Sequence, residues 1–343
     1  MYENNDHIVY EITTAFVEEI FTIIDKTRDI GFLKLLCTLC RCSDAIIANN
    51  QKMICYELVK HMNIVPRRRI SNGEIEIQYA ADDKWISLRA FTADVDWSAK
   101  VNEIDEPIKS KTHRVLFFSA VLDLVSTLCE GRNFSCQKMV AQDLEFSDSE
   151  AFIVLKDRHM DPRIRAKYAA CYENLVLDLH PNTNLKTRFR RIWFTSQNTQ
   201  NNDDDDGPMS HFSTVYRFDK VPTSSINTSD PEVLTMVSSS NPRSLTDFSL
   251  DFIFDKYSFR FDDRQLETGQ PQLLLRVMIL VRKAFFFGIF RHKEHILVSK
   301  LKELISSNPL ADRKDQNDEA MSILLVSCLL VRKIMIDSQI LRP

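Results

Sequence analysis

Apolar side chains recur at helical spacing near the start of the chain. One segment fills the positions i, i+3, i+4, i+7 and i+8 with Phe32, Leu35, Leu36, Leu39 and Cys40. Such a stripe is the buried face of an amphipathic helix. The pattern predicts helices over residues 9–26, 31–41 and 45–61, the last two antiparallel across a polar turn at residues 41–44.

The same spacing returns after residue 105. It predicts further helices over residues 109–131, 136–142, 149–158, 161–179, 272–287, 292–306 and 318–338. The helix at 161–179 also has clear ends, because Asp161 is a good N-cap, Pro162 suits the first helical position and Pro181 follows the last turn.

Two regions interrupt the helical pattern. Residues 63–104 contain Pro66, the sequence Ser-Asn-Gly at 71–73 and an alternating run at 74–79, which predict a surface excursion with a small hairpin. Residues 196–245 are rich in Ser, Thr, Asn and Asp, and they predict a long disordered loop.

The predicted fold class is all-α, an armadillo/HEAT-like α-solenoid with a long disordered loop. Its predicted parts are helical repeat blocks at 1–62, 105–195 and 246–343, the irregular excursion at 63–104 and the loop at 196–245. A short internal sequence repeat is present, because Thr-Leu-Cys at 38–40 and Gln-Lys-Met at 51–53 recur at 127–129 and 137–139. Such a repeat favours stacked helical units over a closed bundle.

Composition narrows the classes of function. The net charge of -4 gives no general attraction to nucleic acid. With only 6 glycines and no Gly-rich phosphate loop or nucleophile-elbow motif, the chain is predicted not to be an enzyme. Residues 1–7 lack the features of a signal peptide, and charges interrupt the longest apolar run, at 273–290, so the sequence predicts no membrane span.

The 8 cysteines lie mostly inside apolar helical runs, as free thiols of a reducing compartment do. A zinc site on Cys37, Cys40 and Cys42 with Cys55 or His61 is the weaker interpretation, because the second half lacks a paired spacing. The acidic run at 203–206 lacks the spaced oxygens of a calcium site. We therefore predict neither a metal nor a cofactor.

Three groups of residues are candidates for contact or regulation. Ser71 follows three arginines at 67–69 and is a candidate phosphorylation site, with a solvated basic turn as the alternative. Candidate contacts with neighbouring modules are Arg188, Arg190, Arg191 and Trp193 in a basic and aromatic segment, and Phe285, Phe286 and Phe287 at an apolar edge.

Four ordered blocks of this sequence resemble the intracellular calcium-release channels, the inositol trisphosphate receptors and ryanodine receptors. The first is the helical pair ending NNQKMICYEL at residue 58, and the second runs from LCEGRNF at 128–134 to Leu-Asp-Leu-His at 177–180. The third is Ile-Trp at 192–193. The fourth comprises the segment at 277–290 and the helix at 297–305. The inositol trisphosphate receptors are the more similar branch.

The resemblance implies a piece of the cytosolic helical region, downstream of the ligand-binding core. It implies a regulatory scaffold on the cytosolic face of the endoplasmic reticulum that relays ligand binding to the pore of a homotetrameric channel and does not conduct by itself. Its partners would be other modules of that channel. The alternative from the same residues is a free-standing armadillo/HEAT-like adaptor that binds peptides.

Overall fold

A computed structural model of the protein describes residues 11–42, 45–79, 84–97, 110–178 and 269–286, together with residues 245, 248–249, 252, 295–297 and 299. This part of the chain is mostly helical, as predicted, but it also contains a two-stranded and a three-stranded antiparallel sheet. The all-α assignment is therefore wrong for residues 67–87, where isoleucines alternate with polar residues around a tight turn.

Three helices form the first block. They are α1 (Thr14–Thr27), α2 (Ile30–Leu39) and α3 (Ala48–Lys60). The side chains of Thr13 and Asp29 cap α1 and α2 by accepting bonds from backbone N–H groups. The helix α3 begins later than predicted, because Ala45 and Ile46 form strand β2, which pairs with strand β1 (Arg41–Cys42).

Four helices form the central block. They are α5 (Lys111–Cys129), α6 (Phe134–Gln142), α7 (Asp148–Lys156) and α8 (Pro162–Tyr172). In α5, 14 of the 19 residues are buried, as expected for a helix that is covered on nearly every side. The predicted cap at Asp161 is confirmed, because its side chain accepts from the N–H of Arg163 and Pro162 opens α8.

The end of α8 differs from the predicted regular helix. Residues Glu173–Leu177 form a π-helical turn, in which the N–H of Asp178 donates to the carbonyl of Glu173 at 3.0 Å. Such turns are rare, and they leave carbonyl groups without their usual helical partners.

The helices pack in two layers. In the first layer α2 lies against α5, α5 against α8, and α8 against α9 (Gln270–Phe286). In the second layer α1 lies against α3 and α3 against α6, while α3 and α6 also contact α5 across the layers. A continuous core of apolar side chains joins both layers. This arrangement fits stacked helical pairs, and the solenoid as a whole remains a prediction.

A three-stranded sheet occupies the predicted excursion. Strand β3 (Arg67–Ser71) pairs with β4 (Glu74–Gln78), and β4 pairs with β5 (Ile86–Ser87), which leads into the short helix α4 (Leu88–Thr92). The predicted hairpin is thus confirmed. Its turn, Asn72 and Gly73, has φ of 52° and 79°, the left-handed values of a tight two-residue hairpin.

Much of the C-terminal prediction lies outside the described residues. This holds for the helices expected over 292–306 and 318–338, of which only residues 295–297 and 299 are described, and for the loop at 196–245 except Leu245. Within the described residues, none of the helices combines the length and apolar character needed to cross a membrane.

Candidate functional site

Two buried glutamines join the ends of successive helices. Gln51, in the first turn of α3, donates through Nε2 to the carbonyls of Thr127 (2.7 Å) and Glu130 (3.0 Å) at the end of α5. Gln137, in the first turn of α6, donates in the same way to Asn174 (2.8 Å) and Asp178 (3.2 Å) after α8. The repeated Gln-Lys-Met triplet thus marks one device used twice, since each amide satisfies carbonyls that a helix end leaves unpaired.

Asparagines complete these contacts. Asn50 donates to the carbonyl of Leu39 at the end of α2, at 2.8 Å. Asn133 donates to the Gln51 side-chain oxygen at 2.9 Å. Asn174 donates to the carbonyl and hydroxyl of Ser126 at 3.1 and 3.0 Å. The C-terminal ends of α2 and α5 and the π-helical turn after α8 are therefore each bonded to a side chain of another helix.

An ion pair links each helix of the first layer, or the turn after it, to the next helix or turn in that layer. Arg41, just after α2, pairs with Glu130, just after α5. The Lys167 ammonium on α8 lies 2.7 and 2.6 Å from the two carboxylate oxygens of Asp123 on α5. Lys283 on α9 lies 2.9 Å from Glu173 in the π-helical turn. A displacement of one helix therefore changes an ion pair with the next.

The turn between α5 and α6, residues 130–132, makes several contacts with other elements. Glu130 holds Arg41, and Arg132 donates to Asp178 at 2.7 Å. Gly131 has a φ of +73°, and a Cβ there would lie 2.6 Å from the Ile46 side chain. Only glycine combines that backbone with that close approach. This turn belongs to the LCEGRNF block, so the resemblance contained a signal for these contacts, although no role was predicted for them.

Asp178 has a perturbed pKa. Burial by itself would raise the pKa of this carboxyl, but hydrogen bonds from Arg132 and Lys283 outweigh burial and lower its pKa below the usual value. A lowered pKa in the folded state means that the ionised form is stabilised by folding.

We expect acid to weaken this part of the fold. The contribution of Asp178 is complete above its unfolded pKa, near 3.9, and is lost as the pH falls through its lower folded pKa. Urea unfolding of the native protein and Asp178→Asn at several pH values measures it. The difference in unfolding free energy should shrink from pH 6 towards about pH 3, and a difference that stays constant with pH would contradict the assignment.

These helix ends border an open cavity of about 340 Å³ on the first layer. Its floor consists of small and polar residues, which are Ala120, Ser126, Thr127, Ala170 and Asn174. Its rim carries charged side chains from α2, α5 and α9 and from the turns after α2, α5 and α8, which are Lys34, Arg41, Asp123, Glu130, Glu173 and Arg276. We call this cavity the groove.

The cysteines near the groove are buried or partly buried free thiols with raised pKa values. Burial raises the pKa of Cys37 to about 12, with Asp123 adding to the effect, and burial also raises the pKa of Cys40, Cys129 and Cys171. Thiols with raised pKa values carry little thiolate at neutral pH. Within the part of the chain that the structure describes, no three His, Cys, Asp or Glu side chains lie close enough together to hold a metal ion.

The middle arginine of the triplet before Ser71 has a structural role. The Arg68 Nε lies 2.9 Å from the Glu150 Oε1 in a buried ion pair, and the two side chains are only 4% and 5% exposed. The contact does not have the geometry of a hydrogen bond. The two terminal nitrogens of Arg68 donate to the carbonyls of Pro66 (2.8 Å) and Leu144 (2.7 Å). The Tyr168 hydroxyl donates to Glu150 at 2.7 Å. This network fixes the hairpin to α7 and α8.

Ser71 itself lies at the end of β3, opposite Glu74. Because side chains alternate along a strand, Arg69 shares its face of the sheet and Arg68 does not. Arg69 already pairs with Glu76, at 2.6 Å. Phosphorylation at Ser71 remains a prediction, and the structure gives the phosphate one near cation in place of three.

The other predicted contact residues are placed only in part. Phe285 and Phe286 belong to the last turn of α9. Phe287 lies outside the described residues. The same is true of the basic and aromatic group, which comprises Arg188, Arg190, Arg191 and Trp193. Their role in contacts between modules remains a prediction.

Comparison with known proteins agrees with the sequence blocks. Residues 1–67 match the family model RYDR_ITPR, described as the RIH domain. A curated relative, the inositol 1,4,5-trisphosphate receptor-like protein A of Dictyostelium discoideum, is 27% identical over 183 residues, which is 53% of this chain. The matched region is only 5% of that relative's length. The predicted resemblance is confirmed, since the family model and the relative both support assignment to the family of inositol trisphosphate and ryanodine receptors.

Proposed function

We propose that this chain is a cytosolic regulatory module of an inositol trisphosphate receptor-like calcium-release channel, one that relays ligand binding to the pore and neither conducts ions nor catalyses a reaction. The observation that carries the proposal is the series of ion pairs between successive helices of the first layer, together with the glutamine hydrogen bonds to carbonyls at the C-terminal ends of α5 and α8. The reason for assigning the module to a channel is its similarity to the calcium-release channel family.

A relay needs elements that move as rigid bodies and contacts that transmit the movement. The buried faces of α5 and α8 make each helical pair stiff, because a close-packed core resists deformation. The bonds at the helix ends are more adaptable, since the ion pairs Arg41–Glu130 and Lys167–Asp123 are partly exposed. We infer that force passes through the cores and that small rotations occur at these ends.

The wider assembly follows from the family and from the layered packing. The described helices would form part of an armadillo/HEAT-like α-solenoid, downstream of the ligand-binding core. The module would contact other modules of the same homotetrameric channel, on the cytosolic face of the endoplasmic reticulum. The basic segment at 188–193 and the apolar edge at 285–287 are the proposed contact surfaces.

Exchanging the two charges of the Arg41–Glu130 ion pair, between the ends of α2 and α5, tests the relay. Arg41→Glu and Glu130→Arg each replace an attraction by a repulsion, and the double variant restores an attraction. In microsomes carrying the full-length channel, we expect each single variant to lower ligand-evoked calcium release severalfold and the double variant to recover most of it. Binding of the inositol phosphate should stay unchanged, because the ligand-binding core is elsewhere.

Two outcomes would contradict this proposal. Unchanged calcium release in both single variants would show that the Arg41–Glu130 contact does not transmit ligand binding to the pore. A tagged endogenous polypeptide of about 39.9 kDa, found apart from the membrane fraction, would instead favour the free-standing adaptor.

A further inference from the structure

The groove has two cations that its own carboxylates leave unpaired. The three acidic residues on its rim, Asp123, Glu130 and Glu173, are each bonded to a basic side chain of a neighbouring element. Among the described residues, neither Lys34 on α2 nor Arg276 on α9 has an ion-pair partner, and both are exposed. With its acids paired, the groove is left with free positive charge.

We propose that the groove binds an extended acidic segment of another polypeptide, with one carboxylate on Lys34 and a second on Arg276. Lys34 and Arg276 come from the first and the last helix of the layer, so a bound chain crosses α5 and α8 between them. A partner of opposite charge gains both attraction and a defined direction of binding.

The floor of the groove explains why the segment is extended. Ala120 on α5 and Ala170 on α8 project almost no side chain, and Thr127 and Asn174 supply polar groups beside them. A main chain can therefore approach the helices closely and find hydrogen-bonding groups.

The distance between the two cations sets the spacing of the acids. Packed helices lie about 8–10 Å apart, so three steps from α2 to α9 amount to about 27 Å. An extended chain advances about 3.3 Å per residue. The two carboxylates that meet Lys34 and Arg276 are therefore separated by about eight residues.

The inference goes beyond the proposed function and holds for a channel module or for an adaptor, because both contact another polypeptide. Equal binding of the acidic and neutral peptides by the native chain, with the expected calcium-release effects of the Arg41 and Glu130 variants, would overturn this inference alone. Unchanged calcium release in the Arg41 and Glu130 variants, with normal peptide binding in the groove, would overturn the proposed relay alone.

A designed peptide tests the groove directly. The probe is a dye-labelled, neutral Ser/Gly/Thr peptide with glutamates about eight residues apart, compared with the same peptide carrying glutamines. By fluorescence anisotropy at low salt, we expect the full chain to bind the glutamate peptide about tenfold more tightly. The preference should vanish in Lys34→Glu/Arg276→Glu and should fall when the glutamates are only about three residues apart.

A matched control removes general electrostatics. Lys52→Glu/Lys138→Glu makes the same change of charge on exposed residues of α3 and α6, in the other layer, and should keep the full preference. Circular dichroism checks that both double variants are folded. Equal binding of the two peptides, or an equal loss in both double variants, would overturn the proposal.

Discussion

Replacing Glu150 by glutamine should destabilise the protein by about 3 kcal/mol, because it leaves the Arg68 guanidinium buried without a counter-charge. Glutamine keeps the size of the side chain and an oxygen that can accept from Tyr168, so the loss reports the charge and not a cavity. Urea unfolding followed by circular dichroism measures the change, at a constant m value.

The neighbouring arginine of the same triplet is the control. Arg69 pairs with Glu76 and lies over the Trp85 ring, but its side chain is 50% exposed. Arg69→Ala should therefore cost less than about 1 kcal/mol. A double variant, Arg68→Met/Glu150→Leu, should recover most of the stability lost in Glu150→Gln, since apolar residues often replace a buried ion pair at little cost. Equal costs at Glu150 and Arg69 would contradict the buried network.

Replacing Gln137 by leucine should cost about 2 kcal/mol, since the carbonyls of Asn174 and Asp178 lose their shared donor. Gln51→Leu should cost a similar amount, because it removes the same two bonds at the end of α5 and also the partner of Asn133. Hydrogen exchange should show where each loss occurs, with faster exchange after α8 in the first variant and after α5 in the second.

The adjacent lysines provide matched controls for the two glutamines. Lys52→Leu and Lys138→Leu make substitutions of the same kind one residue further along each helix, at exposed positions. Both should change the unfolding free energy by less than about 0.5 kcal/mol. If only one of the two glutamine variants lost stability, the two Gln-Lys-Met triplets would not be equivalent units of structure.

Together these variants separate two kinds of contact in the module. The network around Arg68 and Glu150 is fully buried and fixes the hairpin, so we expect it to set stability. The pairs Arg41–Glu130 and Lys167–Asp123 are partly exposed and lie between helices, so each contributes little to stability. Their expected role is in the relative placement of helices, which is why the functional test uses them.

Local patterns in the sequence were sufficient for most helices. The spacing of apolar residues identified α1, α2 and α5, the cap at Asp161 identified the start of α8, and Asn72-Gly73 identified the hairpin. These features depend on residues a few positions apart, so the chain shows them directly. The repeated triplets also indicated equivalent units, although the function of their glutamines stayed hidden.

The sequence by itself determined a mostly helical protein that resembles the calcium-release channels, with its hairpin and most of its helices. Only the tertiary structure decided that Arg68 is a buried anchor, that Gln51 and Gln137 cap distant helices, and that a groove crosses the first layer. The reason is distance along the chain: Gln51 and Thr127 are separated by 76 positions. An arginine that will be buried by such a partner has the same local sequence as one that stays in water.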